Sequence, residues 1–189
     1  MKKINVLKSY LLTDITLIDI NSLTKAFTLL LKKPITLRIV ENLIEVSDID
    51  YNDLATLNVS LNAIRIDNNL DYLTLVIVPL HNPLLLKGIE YKKSGVVYFY
   101  ELILDVYKEC VFNLENITSI FKNLPNEILL TVKNYINCNH SLTSTGEYMF
   151  AHRNTINYRV NKFISLTSID IRDTHNSIFV GLILNLMKI

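Results

Sequence analysis

Apolar and polar positions in the first two thirds of the chain follow first a helical and then a strand-like period. Apolar residues recur at helical spacing over residues 21–31, where Asn21 is suited to cap the helix start and Pro34 to end it. ITLRIVENLIEVSD then contains two short β-type runs, and Glu41-Asn42 between them is typical of a tight hairpin turn. LNAIRID and YLTLVIVPL, rich in Ile, Val and Leu, predict two further strands.

A long apolar segment follows these strands. GVVYFYELILDVYKECVF, residues 95–112, predicts a mostly buried helix, and LENITSIFKN predicts a shorter one. A helix, antiparallel strands and a covering helix together predict an α+β fold for residues 1–125. This element order resembles the small sensory modules of the PAS and GAF kind. Because Pro125 and Glu127 suit the start of a helix, we place the domain boundary between residues 125 and 126.

The last 64 residues predict an all-α domain, 126–189, of four helical pieces: EILLTVKNYINC, SLTSTGEYMF, HRNTINYRVNKFISL and THNSIFVGLILNLMKI. About three residues join the two central pieces, an arrangement typical of a helix-turn-helix. In such a unit a small residue is needed where the two backbones meet, and Gly146 supplies it. The second helix places Ile156, Val160 and Phe163 on one inward stripe.

The other side of that helix is polar and basic and carries no carboxylate. At about 100° per residue, Asn154, Tyr158, Asn161 and Lys162 point away from the apolar stripe. Amide side chains suit base edges, and hydroxyl and guanidinium groups suit phosphates, so this face favours contact with double-stranded DNA. The residues near the helix start are the better candidates for base readout. The predicted DNA-binding residues are His152, Arg153, Asn154, Thr155, Asn157, Tyr158, Arg159, Asn161 and Lys162.

A structural role for the same residues is the alternative. A polar, basic helix face is often only solvated, and Tyr158 suits a half-buried packing position. Arg153 and Arg159 could pair with Asp170, Asp173 or Glu147 and serve the fold. Charge distinguishes only weakly between DNA contact and a structural role. The whole chain has a net charge of only +1, and the last 64 residues carry 6 Lys+Arg against 4 Asp+Glu.

The sequence motifs of this segment resemble those of a known family. HRNTINYRVNKF, preceded by STGEYM and followed by LTSIDIRD, is similar to the C-terminal helix-turn-helix of the PucR/CdaR family of bacterial transcription regulators. His152, Arg153, Asn154, Thr155, Tyr158 and Arg159 stand in the places of the family's most recognisable run, and Leu166, Thr167 and Asp170 in those of its usual ending. The resemblance implies DNA binding and no enzymatic activity. Gly146 and Ala151 depart from the family's usual Ala and Val or Ile, and the first change lowers helix propensity by up to about 1 kcal/mol.

Other chemistry finds little support in the sequence. No phosphate-binding loop, zinc motif or catalytic triad pattern is present, so we predict no catalytic residue, no metal and no cofactor. Two cysteines without CxxC spacing, Cys110 and Cys138, read as buried thiols of a reducing compartment. Asp14 and Asp19 interrupt the only signal-like segment, and no apolar run reaches about 20 residues, which favours a cytoplasmic protein without membrane contact.

The predicted function is a DNA-binding transcription regulator acting as a homodimer, since helix-turn-helix proteins usually place two recognition helices in successive major grooves. The apolar final helix and the helix predicted at residues 95–112 are the candidate dimer surfaces, unless the final helix is covered by its own chain. A small-molecule effector at the N-terminal domain remains open, with Arg38 and Arg65 as candidate anion ligands or as solvent-facing residues. The alternative function is a sensory or protein-interaction module that keeps the helix-turn-helix for dimer contact and does not bind DNA.

Overall fold

The computed structural model describes residues 7–79, 94–108, 118–119 and 121–189. The chain forms two compact units, residues 1–112 and residues 113–189. The first unit is α+β and the second is helical, which confirms the predicted fold class. The described strands are β1 (Leu7–Leu12), β2 (Leu37–Val40), β3 (Leu43–Ile49), β4 (Thr74–Val78) and β5 (Gly95–Tyr98). The described helices are α1 (Ile20–Leu31), α2 (Asp53–Asp67), α3 (Phe99–Lys108), α4 (Asn126–Asn137), α5 (Leu142–Tyr148), α6 (Arg153–Thr167) and α7 (Thr174–Leu186).

The strands form one mixed sheet in the order β2-β3-β1-β4-β5. Its central strand β1 pairs antiparallel with β3 on one side and with β4 on the other, whereas β4 and β5 run parallel. All five residues of β4 are buried. Phe27 of α1 and Leu61 of α2 lie in one apolar cluster with strand residues such as Ile44 and Leu75, so the two helices cover the sheet and complete its core.

The β2-β3 hairpin and helix α1 confirm two predictions. Glu41 and Asn42 have φ of 47° and 67°, as expected for a turn with both central residues in the left-handed region. The first helix ends at Leu31 as predicted, but it begins at Ile20 and its cap is Asp19. The Asp19 carboxylate accepts from the backbone N–H of Asn21 at 3.0 Å. Asp19 is one of the two acids that interrupt the signal-like segment. Because it caps α1, its role in the fold is local and structural.

Two predicted elements were wrong. LNAIRID is the end of α2 rather than a strand, because Leu57, Leu61 and Ile64 are buried at helical spacing. The helix predicted from residue 95 begins at Phe99, since Gly95–Tyr98 pairs with β4. Gly95 has a φ of 132°, which L side chains rarely adopt. The central strand β1 lies in the signal-like segment that Asp14 and Asp19 interrupt.

Several predictions fall outside the described residues. Residues 109–112, which include Cys110, lie there, as do five of the ten residues of LENITSIFKN. Cys138 is a free, half-buried thiol at the end of α4. Within the described ranges, no helix is both long and apolar enough to cross a membrane.

The C-terminal unit contains the four helices predicted for it. Its core includes the ring of Phe163 on α6, whose centroid lies 5.7 Å from that of Phe121. Phe121 also lies 6.5 Å from Phe179 on α7, and all three rings are buried. Phe121 precedes the predicted domain boundary at residue 125, yet it packs among the C-terminal helices.

Candidate nucleic-acid interface

Helices α5 and α6 are joined by a short turn of residues 149–152. Ser141 caps α5, because its hydroxyl oxygen accepts from the backbone N–H of Ser144 at 3.2 Å. At the other end of α5 the N–H of Ala151 donates to the Gly146 carbonyl at 2.9 Å, and the N–H of Phe150 donates to the Glu147 carbonyl at 3.3 Å. These two bonds are those of a Schellman motif, which satisfies the last carbonyls of the helix and fixes the course of the turn.

Gly146 lies where the turn passes closest to α5. A Cβ atom on this residue would lie 2.6 Å from the carbonyl oxygen of Ala151 and 3.4 Å from the backbone nitrogen of Arg153. The first distance is far shorter than a van der Waals contact, and both neighbours are backbone atoms. The absence of a side chain therefore sets how closely the two helices of the motif approach.

His152 caps the N-terminus of α6. Its Nδ1 accepts from the backbone N–H of Asn154 at 3.2 Å, and its carbonyl accepts from the N–H of Thr155 at 2.8 Å. An imidazole that accepts at Nδ1 carries its proton on Nε2, so Nε2 is the nitrogen left to donate to another molecule. His152 thus positions the start of the helix and keeps one polar atom exposed.

The stripe of Ile156, Val160 and Phe163 is buried, as the periodicity predicts. Eight of the nine predicted DNA-binding residues are exposed: His152, Arg153, Asn154, Thr155, Asn157, Tyr158, Asn161 and Lys162. The Tyr158 side chain is 66% exposed, which argues against the half-buried packing role. Arg153 makes no ion pair with any residue that the structure describes, so its guanidinium is available to another molecule.

Arg159 is the ninth predicted residue and is placed differently. Its guanidinium is half-buried and forms an ion pair with Glu127 of α4 at 2.8 Å, while Nη1 donates to the Thr131 hydroxyl at 3.5 Å. The structure therefore places Arg159 against α4, in a role that positions α6. The partner is Glu127 rather than the three acids considered from the sequence, since a partner 32 residues away leaves no local signal.

Phe150 is a feature of the turn that the pattern did not single out. It has a φ of 52° and its side chain is 99% exposed. A signal was present, because an aromatic residue stands where helix ends usually place Gly or Asn.

Candidate ligands elsewhere do not assemble into a site. Arg38 is exposed on the edge strand β2, whereas Arg65 lies on α2 and donates to the carbonyls of Leu70 and Asp71. Arg65 was predicted on a strand, and on the helix its guanidinium serves the helix end. Among the described residues no group of three or more His, Cys, Asp or Glu side chains is arranged to hold a metal ion.

Comparison with known proteins identifies the helical unit. Residues 128–186 match the family model described as the PucR C-terminal helix-turn-helix domain. This segment is a PucR-type helix-turn-helix domain. The match begins in the first turn of α4, ends with α7 and includes all of α6.

The chain was also compared with solved structures and with curated protein sequences. Among solved structures the chain is similar to the crystal structure of a regulator of polyketide synthase expression from Bifidobacterium adolescentis, with 16% identity and a TM-score of 0.38. That alignment covers 97% of this chain and 80% of the other. Comparison with curated protein sequences gives no significant match.

Proposed function

We propose that this protein is a bacterial, cytoplasmic transcription regulator that reads an operator with α6 and binds double-stranded DNA as a homodimer. The observation that carries the proposal is the exposed, carboxylate-free face of α6 within a PucR-type helix-turn-helix domain. A solvated helix face needs no such composition, since acids and bases usually alternate on it.

The electrostatics of α6 favour a polyanionic partner. Its sequence carries Arg153, Arg159 and Lys162 and no acid. The N-terminus of a helix carries partial positive charge, which adds to the charge of Arg153. DNA phosphates approaching this end meet only favourable charge along the helix.

The positions of the predicted residues along α6 support a division of roles. Arg153, Asn154 and Thr155 form the first exposed turn of α6 and are assigned to base edges, because residues at this end of a recognition helix enter the major groove. Lys162 lies two turns further on and is assigned to a phosphate. Arg159 is a positioning residue, since Glu127 and Thr131 hold its guanidinium.

The homodimer is part of the proposal because one short helix makes few base contacts. On the final helix α7, Phe179, Val180, Ile183 and Leu184 are already buried in the single chain, which leaves the N-terminal unit as the better source of a dimer surface. The outer face of α2 carries an exposed, uncharged stripe at helical spacing: Ala55, Val59, Ala63 and Ile66. A second copy covering this stripe would set the spacing of the two helix-turn-helix units, and a small-molecule effector would act by altering that spacing.

Selection from a random duplex library with the purified full chain tests the function. Wild type should enrich a two-fold-related sequence with half-sites about one helical turn, roughly 34 Å, apart. The double variant Arg153→Ala, Asn154→Ala should lose that enrichment and keep salt-dependent binding to any duplex. Binding that is insensitive to salt, or no binding at all, would favour the alternative of a protein-interaction module, since phosphate contacts give affinities that fall steeply with salt.

A further inference from the structure

Phe150 combines two properties that a residue serving only its own fold does not need. Its backbone is in the left-handed region, with φ of 52°, and its side chain is 99% exposed. Left-handed geometry is unfavourable for every residue with a Cβ, and Gly or Asn is the usual choice at this position of a Schellman motif. Burial of the aromatic ring therefore does not offset the cost of the left-handed backbone within the chain's own fold.

Phe150 lies in the turn just before the residues assigned to base readout. Phe150 is three residues before Arg153, so their Cα atoms are separated by at most about 11 Å. That span corresponds to roughly three base-pair steps along a duplex. The two backbone hydrogen bonds of the Schellman motif hold the turn, so the ring is presented from a fixed backbone.

We propose that Phe150 is a specificity-determining residue that packs against the 5-methyl group of a thymine next to the bases contacted by Arg153 and Asn154. The proposal rests on the proposed function. A phenyl ring has no donor for a phosphate oxygen, which excludes backbone contact as its main role. The thymine methyl is the apolar group that base pairs display in the major groove, where a recognition helix lies.

The test compares Phe150→Gly with wild type on the operator selected by the wild-type full chain. Glycine suits the left-handed backbone, so this variant should fold and its melting temperature should not fall. Ser168→Gly is the matched control, because Ser168 is also exposed, also left-handed with φ of 59°, and lies at the opposite end of α6. Each protein is titrated by fluorescence anisotropy with the operator and with copies in which single thymines are replaced by deoxyuridine, which lacks the methyl group.

Phe150→Gly should bind the operator about tenfold more weakly, and Ser168→Gly should bind like wild type. One deoxyuridine position should weaken wild type by about fourfold and leave Phe150→Gly unchanged. The salt dependence should be the same for both proteins, since no phosphate contact is removed.

Equal binding by wild type and Phe150→Gly overturns the proposal and leaves the proposed function standing. A deoxyuridine effect that persists in Phe150→Gly also overturns it, because another group must then contact the methyl. Failure of wild type to select any duplex overturns the proposed function, and this inference with it.

Discussion

Replacing Gly146 by Ala should destabilise the helix-turn-helix domain, although helix propensity alone predicts the opposite. Ala is favoured over Gly within a helix by about 1 kcal/mol. In this chain the new Cβ would lie 2.6 Å from the carbonyl oxygen of Ala151. Reaching an ordinary separation of about 3.4 Å requires the turn to move by nearly 1 Å, and overpacking of this kind typically costs about 1–3 kcal/mol.

The same movement weakens the hydrogen bond from the Ala151 N–H to the Gly146 carbonyl, which is now 2.9 Å long. A typical intramolecular hydrogen bond contributes about 1 kcal/mol. When this loss is added to the cost of overpacking and the gain in helix propensity is subtracted, Gly146→Ala should lower the free energy of unfolding by about 1–3 kcal/mol. Urea unfolding followed by far-UV circular dichroism measures this, and amide hydrogen exchange locates the loss in α5 and α6.

Gly181→Ala on α7 is the matched control. A Cβ there would lie 3.9 Å from Cγ2 of Ile136, which is an ordinary van der Waals contact. The propensity gain should then appear undiminished, and the variant should be more stable by up to about 1 kcal/mol. If Gly146→Ala were as stabilising as Gly181→Ala, the close approach of α5 to the turn would not hold in solution.

Three further predictions concern the fold and its assembly. Arg159→Ala and Glu127→Ala should each destabilise by up to about 1 kcal/mol and be non-additive in the double variant. If Arg159 acts by positioning α6, Glu127→Ala should weaken DNA binding as Arg159→Ala does, whereas unchanged affinity in Glu127→Ala would show that Arg159 does not act through this pair. The hydrogen bonds from Arg172 lower the pKa of the Asp170 carboxyl, so its stabilising contribution is present above the unfolded pKa of about 3.9 and is lost as pH falls through the lower folded pKa. Urea unfolding across that acidic range should show this loss in wild type and not in Asp170→Asn. Val59→Lys changes a side chain that is 81% exposed, so it should leave the fold intact and weaken the proposed dimer more than about tenfold, as measured by sedimentation velocity. Unchanged self-association would exclude the α2 stripe as the dimer surface.

Local periodicity was sufficient for the C-terminal helices and for the β2-β3 hairpin. The apolar stripe of α6 could be predicted because residues 156, 160 and 163 record its inward direction within a few turns. Local periodicity gave the wrong element at residues 61–67. Ile64-Arg65-Ile66 alternates as a strand would, although the segment is helical and Ile66 is 60% exposed. Over a short window the two periods coincide, and only the buried positions further upstream separate them.

Long-range partners could not be predicted from the pattern. The Gly95–Tyr98 segment is a strand because it pairs in parallel with β4. The sequence between the two strands does not indicate this pairing. Arg159 meets an acid on α4 that lies far along the chain, so its structural role becomes visible only in the fold. Phe150 differs from these two cases, because the sequence alone shows an aromatic residue at a helix end, where Gly or Asn is usual.

The measurement that tests the central claim most directly is the base preference of Asn154→Ala on the operator selected by wild type. Affinities are measured for every single-base substitution of one half-site, with Lys162→Ala as the phosphate-contact control. If α6 reads DNA, Asn154→Ala should lose about 1–3 kcal/mol of discrimination at one base pair and retain its melting temperature, while Lys162→Ala should weaken binding to all sequences alike. An Asn154→Ala profile that follows wild type at every base pair, or a loss spread evenly over all of them, would contradict the assignment of α6 as the recognition helix.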